Sequence, residues 1–292
     1  MAMLVNMSLY SRLQQKELSE ADLRRFCFPR PHSQPGRAQL FNIDQSFNTV
    51  IPGRRSRNCR RCKTVYSIDN LGRVLTKDTC AHHWGKLSRT AYPYYYCCNL
   101  PLGSRPCSTA PQHVSEEIDP NNLTGFINTS LNSSVTSEAI YALDCEMVFT
   151  TAGMDVAAIS IVDSNCQLVY ETLVHPDDPI VDYNTEHSGL SRNMFQGVST
   201  LLKDVHAKLL TLVGSRTILV GHGLDHDLMR LKVIHDHVVD TSVLFPHPRG
   251  FPTRNSLNFL KERFGGGLRS SSYGLKCRAD AEAVMHIVNN MR

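Results

Sequence analysis

The sequence predicts an α/β fold carried behind a small Cys/His-rich module. Three observations lead there. Two short Cys/His pairs stand either side of a loop between Cys59 and His83. A polar, Asn/Ser/Thr-rich stretch runs from Glu116 to Glu138. Beyond it the hydrophobic pattern alternates first with the period of strands, then between helix and strand periods. The expected division is a basic Cys/His-rich module with an N-terminal extension over 1–115, a linker over 116–138, and the α/β domain over 139–292.

Bulk properties narrow the class. Hydrophobic residues make up 41% and charged residues 20% of the 292, an ordinary globular balance. No apolar run approaches the roughly 18 residues of a membrane span, and the N-terminus has a short apolar run without a basic segment before it. The expectation is an intracellular protein with no membrane partner. In a reducing compartment the 10 cysteines read as metal ligands or buried thiols rather than disulfides. Charge is uneven. Residues 1–115 hold 17 Lys+Arg against 6 Asp+Glu (+11), and residues 116–292 hold 14 against 21 (−7), which together give the net +4. A basic half beside an acidic half points to one surface for a polyanion and one site that gathers carboxylates.

The elements follow in order. IYALDCEMV (140–148) reads as a strand. VAAISIVD (156–163) and QLVYETLV (167–174) are two more, joined by a turn at Asp163–Cys166 as a hairpin. Leu201, Leu202, Val205, Leu209 and Leu212 form a helical stripe. TILVGH is a short buried strand, LDHDLMRLKV a helix, and HVVD a further strand. SLNFLKERF and ADAEAVMHIVNNM are the last two helices. A three-stranded meander followed by alternating helices and strands fits a ribonuclease-H-like fold.

Within that frame Asp144 and Glu146 stand two apart on a strand, so both side chains leave by one face. Two carboxylates on a core strand are costly without a neutralising cation, and a divalent metal supplies one. Asp225 and Asp227 follow the buried strand ending at Gly221–His222, and Asp280 stands early in the last helix. Each alone has a plain explanation, since helix N-termini favour acids. Their order and setting together point to a metal site.

Here the chain resembles the DEDD-type 3′–5′ exonucleases, and within them the RNA exonuclease 1 and GOR-antigen-like branch. The likeness is carried by YALDCEMV, HSGL, TILVGHGLDHDLMRLKVIHDHVVDTSVLFPH and RADAEAVMHIV, and upstream by PGRAQLF, NCRRC, CAHHWG and YYYCC. It implies that Asp144, Glu146, Asp227 and Asp280 hold two Mg²⁺ or Mn²⁺ ions against the scissile phosphate of a single-stranded RNA 3′ end. It implies that Met147 packs near the terminal base or sugar and leaves Asp225 outside the ligand set. The chain departs from the pattern at one place. The His subtype carries its general base five residues before the last Asp, where this sequence has Leu275; the Tyr subtype carries Tyr four before, where this sequence has Lys276. Such a base is worth roughly 10²–10⁴ in rate. The sequence therefore leaves two outcomes open: a slow exonuclease, or a catalytically silent RNA- or protein-binding relative. Tyr273, the Gly/Ser-rich run before it, and His235, His237 and His247 are the other places from which a base might be recruited, while His286 should point away.

The Cys/His module has its own chemistry. Cys59-x2-Cys62, a 17-residue gap and Cys80-x2-His83 make two knuckle-like pairs, the donor set of a tetrahedral zinc site. Cys97, Cys98, Cys107 and His113 form a second group, either another zinc site or thiols that pack the module. Arg54, Arg55, Arg57, Arg60 and Arg61, with Lys63, read as a phosphate-binding patch whose density also fits a nuclear address, or as a solvated loop. Trp84, Tyr92, Tyr94, Tyr95 and Tyr96 could stack on unpaired bases or form the core of a small module short of aliphatics, and Trp84 is expected in that core.

Overall fold

In the computed structural model, which describes residues 7–50, 53–88, 90–264 and 274–291, one twisted sheet organises the chain. In chain order the elements that matter are helices α1 (Leu9–Gln14) and α2 (Glu20–Arg25), strands β1 (Ile140–Thr150), β2 (Gly153–Asp163), β3 (Leu168–Leu173) and β4 (Ile180–Asp182), helix α3 (Leu202–Leu212), strand β5 (Ile218–Gly221), helix α4 (Leu224–Arg230), strand β6 (Val238–Asp240), and helices α5 (Leu257–Phe264) and α6 (Lys276–Asn289). The main sheet runs β3-β2-β1-β5-β6, with β4 pairing the far end of β1. β1, β2 and β3 are antiparallel; β5 and β6 are parallel to β1 and to each other. The meander and the crossover elements stand where the pattern put them.

β1 is the central strand, and its alternation serves two cores. Leu143 and Cys145 pack with Val205, Leu209, Leu224 and Leu228 beneath α3 and α4. Ile140 and Ala142 face Ala281, Val284, Met285 and Val288 of α6. Helix α6 buries Cys277, Ala281, Val284 and Val288 at helical spacing, so one stripe lies on the sheet. A register shift between β1 and β2 falls at Glu146/Met147. Such bulges re-aim side chains, and this one sits beside the acidic residues.

Two of the expected boundaries are corrected. Residues 116–138 are no linker: Ile118, Leu123 and Phe126 are buried with Met229 and Ile234, Ile127–Asn128 pairs in parallel with Val233–Ile234, and Thr129 bonds Ile234 O and His235 Nδ1. The segment is polar because its side chains cap turns, while every few residues an apolar one is planted in the core. The N-terminal region belongs to the α/β body as well. Leu13 joins the core under α6, and Leu23, Phe26 and Phe28 join the one under α3. Ser19 and Asp22 close a capping box on α2, a signal present in the sequence and missed. The Cys/His module is therefore the shorter stretch from about Gly53 to Ser115, built from two-stranded ribbons. Among the described residues no helix is long and apolar enough to cross a membrane.

Candidate functional site

The acidic residues gather where β1 meets the start of α6. Asp144, Glu146 and Asp280 each bring an oxygen into one group whose members lie within 4.8 Å. Asp227, on the first turns of α4, is buried behind them and outside that group; Asp144 is the charge that acts on it most strongly. Burial first, then Asp280 and Glu146, push the Asp144 carboxyl well up; burial lifts Glu146 to about 7 against the pull of Lys276. Two of these carboxylates, Glu146 and Asp280, are met by lysine ammoniums, and the all-oxygen donor set suits a hard divalent cation.

The local fold explains their placement. Gly223 turns the chain from β5 into α4 at φ +72°, and a Cβ there would lie 3.0 Å from Arg254 Nη1. Asp240 accepts the Gly223 and Leu224 N–H groups and fixes the start of α4. Asp225 is fully buried but gripped by Arg254 at 2.6 and 2.9 Å, which is why it stands apart from the acidic group. At the other side Glu171 of β3 accepts from Ser160 Oγ and from the Leu275 N–H, and so anchors the start of α6.

α6 begins at Lys276, three residues before the expected start, and this reveals what the sequence reading missed. Lys276 and Asp280 become neighbours one turn apart. Lys276 Nζ donates to Asp280 Oδ2 (2.9 Å) and Glu146 Oε1 (3.1 Å), and Lys261 Nζ of α5 reaches Asp280 Oδ1 (2.5 Å). The Lys-x3-Asp spacing was the available signal. Lys276 holds Asp280 below the usual carboxylate range although burial opposes it. Leu275 and both lysines line a cleft of 610 Å³ with Ser188, Met194 and Asn258.

Among the described residues, none of the substitute histidines lines this cleft. His235 is held by Thr129 and Thr217 O in the core, and His237 by Glu17. His247 accepts the Arg249 N–H, and His286 meets Asn290. Tyr273 and residues 265–272 lie outside the described residues. Met147 is partly buried and packs against the core under α3 and α4.

The Cys/His module holds two tetrads, and the histidines are exchanged relative to the sequence expectation. Cys59, Cys62 and Cys80 are joined by His113; His83 stands instead with Cys97, Cys98 and Cys107. Strand alternation is the cause. Cys80 and His82 end one strand (Cys80–His82) and share a face, so His83 faces away from Cys80. The partner strand, Ser108–Ala110, then returns the chain past the first knuckle, where Arg60 N–H donates to Val114 O. In each tetrad His Nδ1 faces sulfur: 3.3 Å to Cys62 for His113, and 3.6 and 3.7 Å to Cys98 and Cys97 for His83. The other ring nitrogen of His83 bonds Ser104 O at 3.2 Å, and that of His113 lies 3.3 Å from Asp78 Oδ1. Burial works against the Cys59 thiolate, but backbone N–H groups of Val114, Cys62 and Arg61 bring it down to about 6. Cys97 falls to about 7 in the same way, through the N–H of Gly85. A Cβ on Gly85 would lie 2.4 Å from Cys97 N, so only glycine fits. Both S₃N sets suit zinc.

The arginine patch is largely spent inside the molecule. Arg60 pairs with Glu116 and Arg57 with Glu117. Arg61 forms a fork on Asp182 of β4 at 2.7 and 2.8 Å and lies over Phe149, which ties the module to the sheet. Arg54 and Arg55 stay exposed and make no ion pair among the described residues. Replacing Arg61 by Ala leaves Asp182 half-buried and alone, and should cost about 2–3 kcal/mol in urea unfolding; Arg54→Ala should stay within about 0.5 kcal/mol. Equal effects would refute the strut. Trp84, expected in the module's core, is 42% exposed.

Comparison with known proteins finds similarity to proteins named as RNA exonucleases. Residues 57–111 match the family model of the RNA exonuclease 3 middle domain. The human RNA exonuclease 1 homolog is 40% identical over 96% of this chain and 23% of its own length. The chimpanzee exonuclease GOR is 39% identical over 96% of this chain and 41% of its own length. The chain thus spans less than half the length of these relatives. Among solved structures, the Pan2 catalytic unit of Neurospora crassa aligns at TM-score 0.47 and 22% identity over 55% of this chain and 28% of its own.

Proposed function

We propose, for a chain that belongs to the RNA exonuclease 1 and GOR-like family, that it shortens single-stranded RNA from the 3′ end by hydrolysing the terminal phosphodiester. The strand order β3-β2-β1-β5-β6 is read as ribonuclease-H-like. The observation that carries the reading is the gathering of Asp144, Glu146 and Asp280 within 4.8 Å, with Asp280 lining an open cleft and Asp227 buried nearby. These four carboxylates would hold two Mg²⁺ or Mn²⁺ ions, which supply an activated water and neutralise the phosphate. Lys261 and Lys276 bring positive charge to the same cleft, suited to a phosphate oxygen. Leu275 presents an apolar side chain where relatives of the His subtype place their base, so proton removal from the water lacks help from this position.

A second reading, an RNA-binding relative without activity, is favoured by that same leucine and by Lys276, whose ammonium lies between two of the carboxylates. The two separate on one gel. The chain is incubated with 5′-labelled single-stranded RNA and Mn²⁺, alone and as Leu275→His. A ladder from the unaltered chain, accelerated roughly hundredfold by histidine, supports the slow enzyme. RNA that is bound but shortened only by Leu275→His supports the silent relative. If neither protein shortens or binds RNA, both readings fail.

A further inference from the structure

A second cleft, of 590 Å³, lies between the Cys/His module and the sheet and takes no part in the chemistry above. Lys63, Trp84 and Lys86 form one wall; Phe149, His187 and His226 face them. The indole of Trp84 meets the His187 ring edge-on at 6.1 Å. His187 precedes Ser188 and Gly189, which line the catalytic cleft. At the other end Lys86 and His226 also line a cleft with Arg254 and Ser256, and Ser256 lines the catalytic cleft in turn. The three hollows share walls and make one trough leading to the carboxylates.

The chemistry of that trough is specific. Trp84 lines this groove with 42% of its surface exposed, so its ring is open to a ligand. Of the cleft's two glutamates, Glu116 is taken by Arg60 at 2.5 Å and Glu186 stands beside His187 without an ion pair among the described residues, while Lys86 makes none either and Lys63 donates to Arg60 O at 2.6 Å. An exposed ring flanked by unpaired cations suits unpaired bases on a phosphate chain.

We propose that this trough binds the single-stranded RNA that trails 5′ of the nucleotide being removed, with a base stacked on Trp84 and phosphates against Lys86 and Lys63. The proposal rests on the RNA-trimming reading and adds a subsite to it, built by the second Cys/His tetrad through His83, Gly85 and Cys97. Arg60 and Arg61 of the arginine run also line this cleft, each paired with a carboxylate, Glu116 and Asp182.

Trp84 is the chain's single tryptophan, so its emission reports on the subsite directly. Asp144→Asn protein with Mn²⁺ is titrated with 5′-fluorescein oligouridine of about ten nucleotides, and RNA anisotropy and Trp84 emission are read together. Emission should be quenched in step with the rise in anisotropy. A trinucleotide, confined to the catalytic cleft, should leave emission unchanged. Trp84→Ala should weaken binding of the longer RNA roughly tenfold, with Trp84→Phe recovering most of it. Lys86→Glu should reduce the slope of log affinity against log salt by about one. A rise in anisotropy without quenching, or equal affinity of Trp84→Ala, overturns the subsite while RNA binding stands. Absence of any anisotropy change, with no shortening by the unaltered chain, removes the RNA reading and the subsite together.

Discussion

Asp144→Asn should lower RNA shortening by roughly 10⁴-fold or more, because several kcal/mol of transition-state stabilisation depend on the ions this residue helps to hold. The same change should raise the melting temperature of the metal-free protein. Asp144 sits among Asp280, Glu146 and Asp227, and burial with like charges makes its ionised form unfavourable in the folded chain. Asparagine keeps the shape and removes the charge. Each kcal/mol recovered is about 2–4 °C in a domain of this size. A structural aspartate behaves the other way: its loss lowers activity and stability together. Calorimetric Mn²⁺ uptake, melting and gel assays on one preparation separate the two. A variant that melts lower, or one that still shortens RNA, sinks the carboxylate account.

The same crowding sets a pH dependence whose sign is defined. Glu146 is raised from 4.5 to about 7. A carboxyl raised on folding favours the folded state when protonated, so its contribution is complete below about 4.5 and is lost as pH rises through about 7. Asp144 acts in the same direction. Asp280, lowered by Lys276 and Lys261 against burial, contributes above its ordinary value and loses that only in strong acid. The metal-free chain should therefore melt lower as pH rises across neutrality. Mn²⁺ should invert that slope, since its ligands must be deprotonated.

What could be read ahead of the structure follows from the range of each interaction. Asp144 and Glu146 were legible because strand alternation is local, and two residues suffice to put both carboxylates on one face. Asp280 was legible through the family motif. Lys276 was not, because its role depends on where α6 begins, and that is set by Glu171 of β3 holding the Leu275 N–H, a contact 104 residues distant. The partners of the arginines were not legible for the same reason. Charge density shows in the sequence, but Asp182, Glu116 and Glu117 are brought beside Arg61, Arg60 and Arg57 only by the packing of module on sheet. Trp84 was assigned to the core on hydrophobicity, and a groove-lining ring has the same composition as a buried one.

The exchanged histidines give the sharpest test of the module. Spacing alone put His83 with Cys59, Cys62 and Cys80; the fold puts His113 there and His83 with Cys97, Cys98 and Cys107. If both tetrads bind zinc, the chain should carry two ions, and either Cys59→Ser or His83→Ala should leave one. The double substitution decides the pairing. Residues sharing a site leave one ion when both are changed; residues in separate sites leave none, which is the expected result. Zinc counted by mass spectrometry reads it directly. Structural zinc contributes about 10–16 kcal/mol of apparent binding energy, so each loss should also melt its own ribbon, with different consequences. Cys59 packs with Tyr66 and Ile68 in the part of the module that Arg61 ties to Asp182, so Cys59→Ser should lower the melting temperature of the whole chain. His83 stacks on Tyr95 at 3.6 Å, next in sequence to Trp84, so His83→Ala should spare the sheet domain and weaken long RNA. One ion remaining in the double variant would return His83 to the first tetrad and separate Trp84 from any metal-built surface.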